Sequence, residues 1–403
     1  MYNFALAFTV CCIAFAIGEF VSIRTKAWVP GIFVTAAVML IGYWTVLPHD
    51  LISDSFLIPF GSTIGIYLLI VHMGTVISLK QLIEQWKTIV ICLFGLAGMI
   101  SIAYFLCPLF MPKLLVVAGL PPLTGGIVAA TIMQKAAAEA GLVTASVFAI
   151  TMYCIQGFAG YPITAVCLQK EGKRLLKKLR SGEESISEEE RRALVSVSSV
   201  ANVDPNEKKL LPQIPERYNS AVVVLGKLGL VGWIASVLGS WTGVSGAIWA
   251  LVMGVFFTTI GFLDRSALNK ANSYGIVMFA LMMYVFDGLK DCSISMLASL
   301  IGPMIILIII GVAGMGLFSF IAAKILNVSF PLAFANALTA LYGFPCDAII
   351  TESTCNSLGE TEEEVDYLMS KMFPSMIVGG FTSVTITSVF VASAFALMIP
   401  KFL

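Results

Sequence analysis

The sequence predicts an all-α integral membrane protein of about ten transmembrane helices. They form two inverted five-helix repeats, each with an interrupted or re-entrant segment before its last helix. Three observations predict this. The 403 residues are 58% hydrophobic and only 12% charged, where a soluble domain carries about 25% charged residues. Apolar runs recur at the ~20 residues a helix needs to cross ~30 Å of hydrocarbon. The second half of the chain repeats landmarks of the first in the same order.

The first run, Phe4 to Phe20, has neither a basic n-region nor a small-residue cleavage site, so it reads as a membrane helix and not as a signal peptide. Crossings are expected near 3–22, 28–47, 57–78, 88–111 and 143–168, then near 219–239, 244–262, 273–289, 299–325 and 371–398. Two further segments, near 122–141 and 331–360, are apolar but interrupted. Between the two sets lies the one long polar stretch. It opens on Lys170, Lys173, Arg174, Lys177, Lys178 and Arg180 directly after an apolar helix, and basic residues beside a helix end mark the cytoplasmic side. Ser187 and Glu190 have capping-box spacing, and Pro205, Pro212 and Pro215 favour an extended linker. The chain thus divides into an N-terminal membrane repeat (1–169), a cytoplasmic charged linker (170–217) and a C-terminal inverted membrane repeat (218–403). With five crossings before an inner linker, the N-terminus lies outside. Arg24, Lys26, Lys80, Lys87, Arg265 and Lys270 then fall inside, and His49, Asp50 and Asp54 outside, in keeping with the basic bias.

The formal net charge is zero, which gives no footing for a nucleic-acid partner. Nine cysteines sit mostly within apolar runs and lack metal-knuckle spacing, so they read as small hydrophobes. Two histidines, His49 and His72, argue against a His-based metal site.

The repeat is legible in four places. Gly65 to Lys80 (GIYLLIVHMGTVISLK) is matched at both ends by Gly275 to Lys290 (GIVMFALMMYVFDGLK). Gly95-Leu-Ala-Gly-Met99 is echoed by Gly311-Val-Ala-Gly-Met315, and Pro122-Leu123 by Pro331-Leu332, each pair opening an interrupted segment. Gly157-Phe158 with Thr164 and Val166 is echoed by Gly380-Phe381 with Thr387 and Val389. Five crossings per copy is an odd number, so the second copy sits upside down, the design of many secondary transporters.

The first interrupted segment, Pro121 to Gly141, holds Gln134, Lys135 and Glu139. Lys135 and Glu139 share a helix face at a spacing of four. They read either as substrate-facing groups or as a structural pair at a helix end. The second, Tyr342 to Gly359, holds Asp347, Thr351, Glu352, Thr354 and Asn356, with Asp347, Thr351 and Thr354 on one helical face. Irregular backbone at membrane depth is tolerated only inside protein or against a wet cavity, and broken helices expose carbonyls for Na⁺ and N–H groups for a carboxylate. Asp347 and Glu352 read either as such a site or as an extension of the solvated acidic surface Glu360 to Asp366. Glu19, Asp287 and Lys290 read as interfacial groups near helix ends, and Lys227 as a snorkelling lysine.

At these segments the chain resembles the bacterial sodium/glutamate symporter family. Gly126-Ile-Val-Ala-Ala-Thr-Ile and Gly157-Phe-Ala-Gly-Tyr-Pro resemble that family's first interrupted segment and following helix. Gly343-Phe through Thr351 and Met372-Phe-Pro through Thr387 resemble the second. One departure stands out: the family's Gly-Gly-His-Gly-Thr type signature is replaced by Met133-Gln-Lys-Ala-Ala-Ala-Glu139. The resemblance implies Na⁺-coupled symport of glutamate or a related small carboxylate or amino acid, in a multi-pass protein of the bacterial cell membrane. By position it implies Gln134, Lys135, Glu139 and Thr351 at the substrate, and Asp347, Thr351, Glu352 and Asn356 around the cation. By analogy with other inverted-repeat transporters, the early spans of each half form a scaffold that forms a homodimer within the lipid.

Two other classes compete. A membrane-embedded aspartyl protease needs facing aspartates, for which Asp347 has only Asp287 as a partner, and no P-loop, His-Glu-x-x-His or nucleophile elbow is present. A passive channel would need a pore, but no repeated selectivity-filter motif occurs.

Overall fold

The computed structural model describes residues 2–25, 31–76, 83–181, 211, 215–242, 246–343 and 346–402. Sixteen principal helices follow in order: α1 (Phe4–Arg24), α2 (Gly31–Thr45), α3 (Ile66–Val76), α4 (Trp86–Leu106), α5 (Lys113–Thr124), α6 (Gly126–Glu139), α7 (Val143–Ile155), α8 (Gly157–Arg180), α9 (Ala221–Thr242), α10 (Gly246–Thr259), α11 (Tyr274–Asp287), α12 (Ile294–Leu326), α13 (Phe330–Leu338), α14 (Cys346–Leu358), α15 (Glu362–Gly380) and α16 (Ser388–Ala396). A π-helical stretch, Phe60–Gly65, leads into α3, and another, Phe381–Thr387, joins α15 to α16. No strand occurs among the described residues.

The chain is an all-α integral membrane protein. Seven helical stretches among the described residues are long and apolar enough to cross a bilayer: Phe4–Val21, Leu57–Val76, Trp86–Leu109, Val143–Arg180, Ala221–Thr242, Ile294–Leu326 and Glu362–Phe402. The crossings expected near 28–47, 244–262 and 273–289 are occupied by shorter apolar helices of 15, 14 and 14 residues. Large apolar side chains face outward along the spans, among them Phe105, Val222, Trp233, Trp241 and Ile309, as a helix in lipid requires.

Contacts divide the chain into two compact units. The first comprises Met1–Phe20, Gly31–Ser78 and Ala201–Cys292, and the second Val21–Pro30, Leu79–Val200 and Ser293–Leu403. Each unit draws from both sequence repeats: the first takes the first three spans of each half, the second the rest.

In the first unit, α3 crosses α10 closely, because a Cβ on Gly74 would lie 2.6 Å from the Val255 nitrogen and one on Gly254 2.5 Å from the Val71 carbonyl oxygen. His72 is buried, and its Nδ1 accepts from the Leu268 N–H at 3.2 Å, while Thr75 Oγ1 accepts from Ala267 N–H at 3.2 Å. These two side chains cap the short helix Ala267–Lys270, whose first N–H groups have no partner in their own helix. Lys227, expected to snorkel, instead reaches Asp264 at 3.2 Å and Asn219 at 3.3 Å. Lys270 and Asn219 complete the knot on Asp264 at 2.8 and 2.9 Å.

In the second unit, the two copies pack on each other reciprocally. A Cβ on Gly98 of α4 would lie 2.6 Å from the Gly314 carbonyl oxygen, and one on Gly314 of α12 would lie 2.6 Å from the Gly98 carbonyl oxygen. These are corresponding glycines of the GLAGM and GVAGM motifs. The exchange extends outward: α8 packs on α13 and α14, as α16 packs on α5 and α6. The pairing of Pro122 with Pro331 does not hold, since Pro121 and Pro122 lie in the last turn of α5 and Pro331 in the first turn of α13. Nor does the first interrupted segment begin at its prolines; it begins at Lys113.

The basic stretch expected to open the linker continues α8 as far as Arg180. Leu175 and Leu176 bury themselves beside Tyr367 and Leu368. Arg180 then forks onto Glu364 (2.7 and 3.0 Å) and reaches Glu360 (3.1 Å), tying the end of α8 to the start of α15. The Ser187 capping box, Pro205, Pro212, Lys26 and Lys80 lie outside the described residues.

Candidate functional site

Both interrupted segments of the second unit are helices broken in the middle. Prolines 121 and 122 bring no N–H to the end of α5, and Thr124 Oγ1 donates to the Pro121 carbonyl at 2.8 Å. Gly125 and Gly126 then take φ of +141° and +75°, and α6 starts afresh. In the second copy, α13 tightens into a 3₁₀ turn at Thr339–Leu341, Gly343 takes φ of +65°, and α14 starts at Cys346. Only glycine adopts such backbone without strain.

The two breaks meet at one side chain. A Cβ on Gly125 would lie 2.9 Å from the Val384 Cα, one on Gly126 2.6 Å from Val384 Cγ1, and one on Gly343 2.9 Å from Val384 Cγ2. The Gly125 position is also 3.3 Å from the Ala340 carbonyl oxygen, so one break touches the other. Val384 sits on the π-helical turn Phe381–Thr387. The N-termini of α6 and α14 therefore start on either side of a common point, and α6 starts without a side-chain cap. Two positive helix ends converge there.

Asp347 lies in the first turn of α14 and is fully buried. Its Oδ1 accepts from the Ala348 N–H at 2.7 Å, and its Oδ2 has no hydrogen-bond partner. In the same break, Tyr342 donates its hydroxyl to Thr164 Oγ1 at 3.0 Å and stacks on Tyr161 with ring centroids 4.8 Å apart. Gly160 permits the approach, since a Cβ there would lie 2.8 Å from Tyr342 Cδ1.

The described residues include three buried carboxylates: Glu171, Asp264 and Asp347. Glu171 is held by Arg174 at 2.6 and 3.1 Å. Asp264 has two lysines. Among the described residues Asp347 has no cationic partner, and no Lys or Arg is buried. An ionised carboxylate buried without a countercharge costs several kcal/mol, so this group calls for a proton or a cation that arrives from outside.

The residues singled out from sequence separate into two groups. Asp347, Thr351 and Thr354 share the buried face of α14, and Thr351 Oγ1 donates to the Asp347 carbonyl at 2.7 Å. Glu352 and Asn356 fall on the exposed side of that helix, so the expected four-residue cation set is split. Gln134 is buried with its Oε1 unpartnered. Lys135 and Glu139 are mostly exposed and 4.0 Å apart, the geometry of a weak surface pair. Asp287 belongs to the first unit and accepts from Lys290 at 3.0 Å. Tyr161, Thr164, Tyr342 and Val384 were not expected at the site. The one sequence signal for them is Gly157-x-x-Gly160 beside Tyr161, small residues at helical spacing that admit another chain segment.

No protein-family model matches the chain, and no curated protein matches it. Among solved structures, the sodium proton antiporter MjNhaP1 from Methanocaldococcus jannaschii at pH 8 is similar at 18% identity and a TM-score of 0.41, over 98% of each chain. The sodium/glutamate symporter resemblance rests on its quoted motifs alone.

Proposed function

We propose that the chain is a secondary active transporter that works by alternating access and carries its coupling cation at Asp347. The observation that carries this reading is the fully buried carboxylate with a free oxygen and no cationic partner among the described residues, set where two broken helices meet. Thr351 belongs beside it on the same face. Na⁺ is the coupling ion that the family resemblance implies. The substrate is a small carboxylate or amino acid, glutamate in the first instance. Its carboxylate is held by the uncapped N–H groups that open α6, since helix N-termini attract anions. Gln134 is the buried amide on α6 that would contact the substrate, while the exposed Lys135 and Glu139 act at its approach.

The second unit is the moving, transporting part and the first is the scaffold, which pairs with a second copy in the lipid. In this reading the protein sits in the bacterial cell membrane, with its N-terminus outside and the basic end of α8 in the cytoplasm.

The test is uptake into proteoliposomes. Radiolabelled L-glutamate and a panel of small dicarboxylates are offered under an imposed Na⁺ gradient, an imposed pH gradient, or neither. One of these anions should accumulate only with the Na⁺ gradient, and Asp347→Asn should lose accumulation. Flux that ignores both gradients, or an Asn variant that still accumulates substrate, would refute the reading. Conductance far above transporter turnover would point to a channel instead.

A further inference from the structure

We infer that one coupling cation, not two, is bound per chain, because the repeat position equivalent to Asp347 is occupied by Ile127. The inference rests on the reading of Asp347 as the cation site. The register between α6 and α14 is set by the structure itself. Thr131 is the sixth residue of α6 and Thr351 the sixth of α14. Each donates its hydroxyl to the carbonyl four residues back, Thr131 to Ile127 at 2.8 Å and Thr351 to Asp347 at 2.7 Å. All four residues are buried, at 3% exposure or less.

The surroundings match as well. The first helix of each pair after the break, α6 or α14, packs on the next helix of its own copy, α7 or α15. Each also packs on the last helix of the other copy, α16 or α8. Residues 127 and 347 therefore hold equivalent positions, each at the start of a half-helix and each backed by a threonine. One is a carboxylate with a free oxygen, the other an isoleucine.

The chemistry of the two positions must differ. A buried carboxylate is neutral with one monovalent cation or one proton, and gains nothing from a second. An aliphatic side chain supplies no ligand for a hard cation, which needs oxygen donors, and the carbonyls of Pro121, Pro122 and Ile127 already accept from Thr124, Gly125 and Thr131. No other buried, unpaired carboxylate among the described residues is available to replace the missing one. The Ile127 position instead keeps the uncapped N–H groups of the α6 terminus, whose positive end repels a cation.

The experiment is saturable ²²Na⁺ binding to the purified full-length chain at pH 8, counted per chain. Wild type should bind one Na⁺, Asp347→Asn none, and Ile127→Asp two. The double variant Ile127→Asp with Asp347→Asn should bind one. Because a new carboxylate at the buried Ile127 position risks misfolding, the wild-type count decides by itself. Two or more Na⁺ per wild-type chain, one of them lost in Asp347→Asn, overturns the single-cation inference and leaves the Asp347 site standing. One Na⁺ that survives in Asp347→Asn, or no saturable binding, removes the Asp347 site and this inference with it.

Discussion

Replacing Asp347 by Asn removes a negative charge and barely alters shape. In Na⁺-free buffer the variant should be the more stable protein, because the wild type must hold a carboxylate that has a free Oδ2 and no cationic neighbour among the described residues. Adding Na⁺ should stabilise only the wild type. A cation bound by the folded state alone adds about 2.7 kcal/mol at ~100-fold its Kd. Unfolding entropy runs at about 2.1 cal/mol/K per residue, so over 403 residues that gain raises Tm by about 3 °C. The chain provides its own reporter. None of its nine cysteines is in a disulfide and most are buried, so a thiol-reactive dye reads unfolding directly. Choline chloride at equal ionic strength is the control. Asp347 also sits in the first turn of α14, where a carboxylate favours the helix dipole by about 0.3–1 kcal/mol. If that were its whole purpose, Asn would lower Tm and Na⁺ would shift both proteins equally. That result would refute the cation site.

Two further perturbations probe the scaffold around it. Gly343→Ala adds a Cβ 2.9 Å from Val384 Cγ2 at a φ of +65°, for about 1–2 kcal/mol of backbone strain and about 1–3 kcal/mol of crowding. Val384→Ala should relieve the crowding alone, so a double-mutant cycle in detergent melts should show coupling of about 1 kcal/mol, and strict additivity would deny the contact. In the first unit, burial pushes the Asp264 carboxyl up, but the ammonium groups of Lys270 and Lys227 outweigh it and hold it below the ordinary carboxylate range. The stability these pairs add is therefore complete at neutral pH and is lost as pH falls through that lowered value. Lys227→Met should cost about 1–3 kcal/mol at pH 7 and move the acid-induced fall in Tm to higher pH; an unchanged pH profile would show that Lys227 contributes nothing to Asp264.

Much of the membrane architecture was legible because bilayer crossing writes itself into hydropathy over ~20 residues. The glycines of GLAGM and GVAGM were legible as a repeat and turned out to touch. Pro122 and Pro331 misled, since a Pro-Leu dipeptide is common at both ends of helices. The true markers were quieter: left-handed Gly126 and Gly343, and Thr131 and Thr351 at equal steps into their helices. The basic stretch after residue 170 looked like a linker because its charges dominate composition. Its leucines at 175 and 176 nonetheless keep a buried helical face. Side-chain depth was the least legible property. Asp347 and Glu352 lie five residues apart in one acidic-looking segment, and about 140° of helical rotation separates a buried carboxylate from an exposed one. Lys227 finds Asp264 37 residues away, a partner that no local pattern announces.

The glycine contact between α4 and α12 also carries a history. Before two such halves were fused, that contact would have joined a residue to its own twin in a neighbouring chain inserted the other way up. Any substitution would have struck both sides at once, so the position was doubly constrained. Within one chain the twins can vary separately. At Gly98 and Gly314 that freedom has no outlet, because each still abuts the other's backbone. At residues 127 and 347 it has one: a single chain is ionisable on one side and greasy on the other. A symmetric ancestor, with the same side chain at both positions, could not have made that distinction.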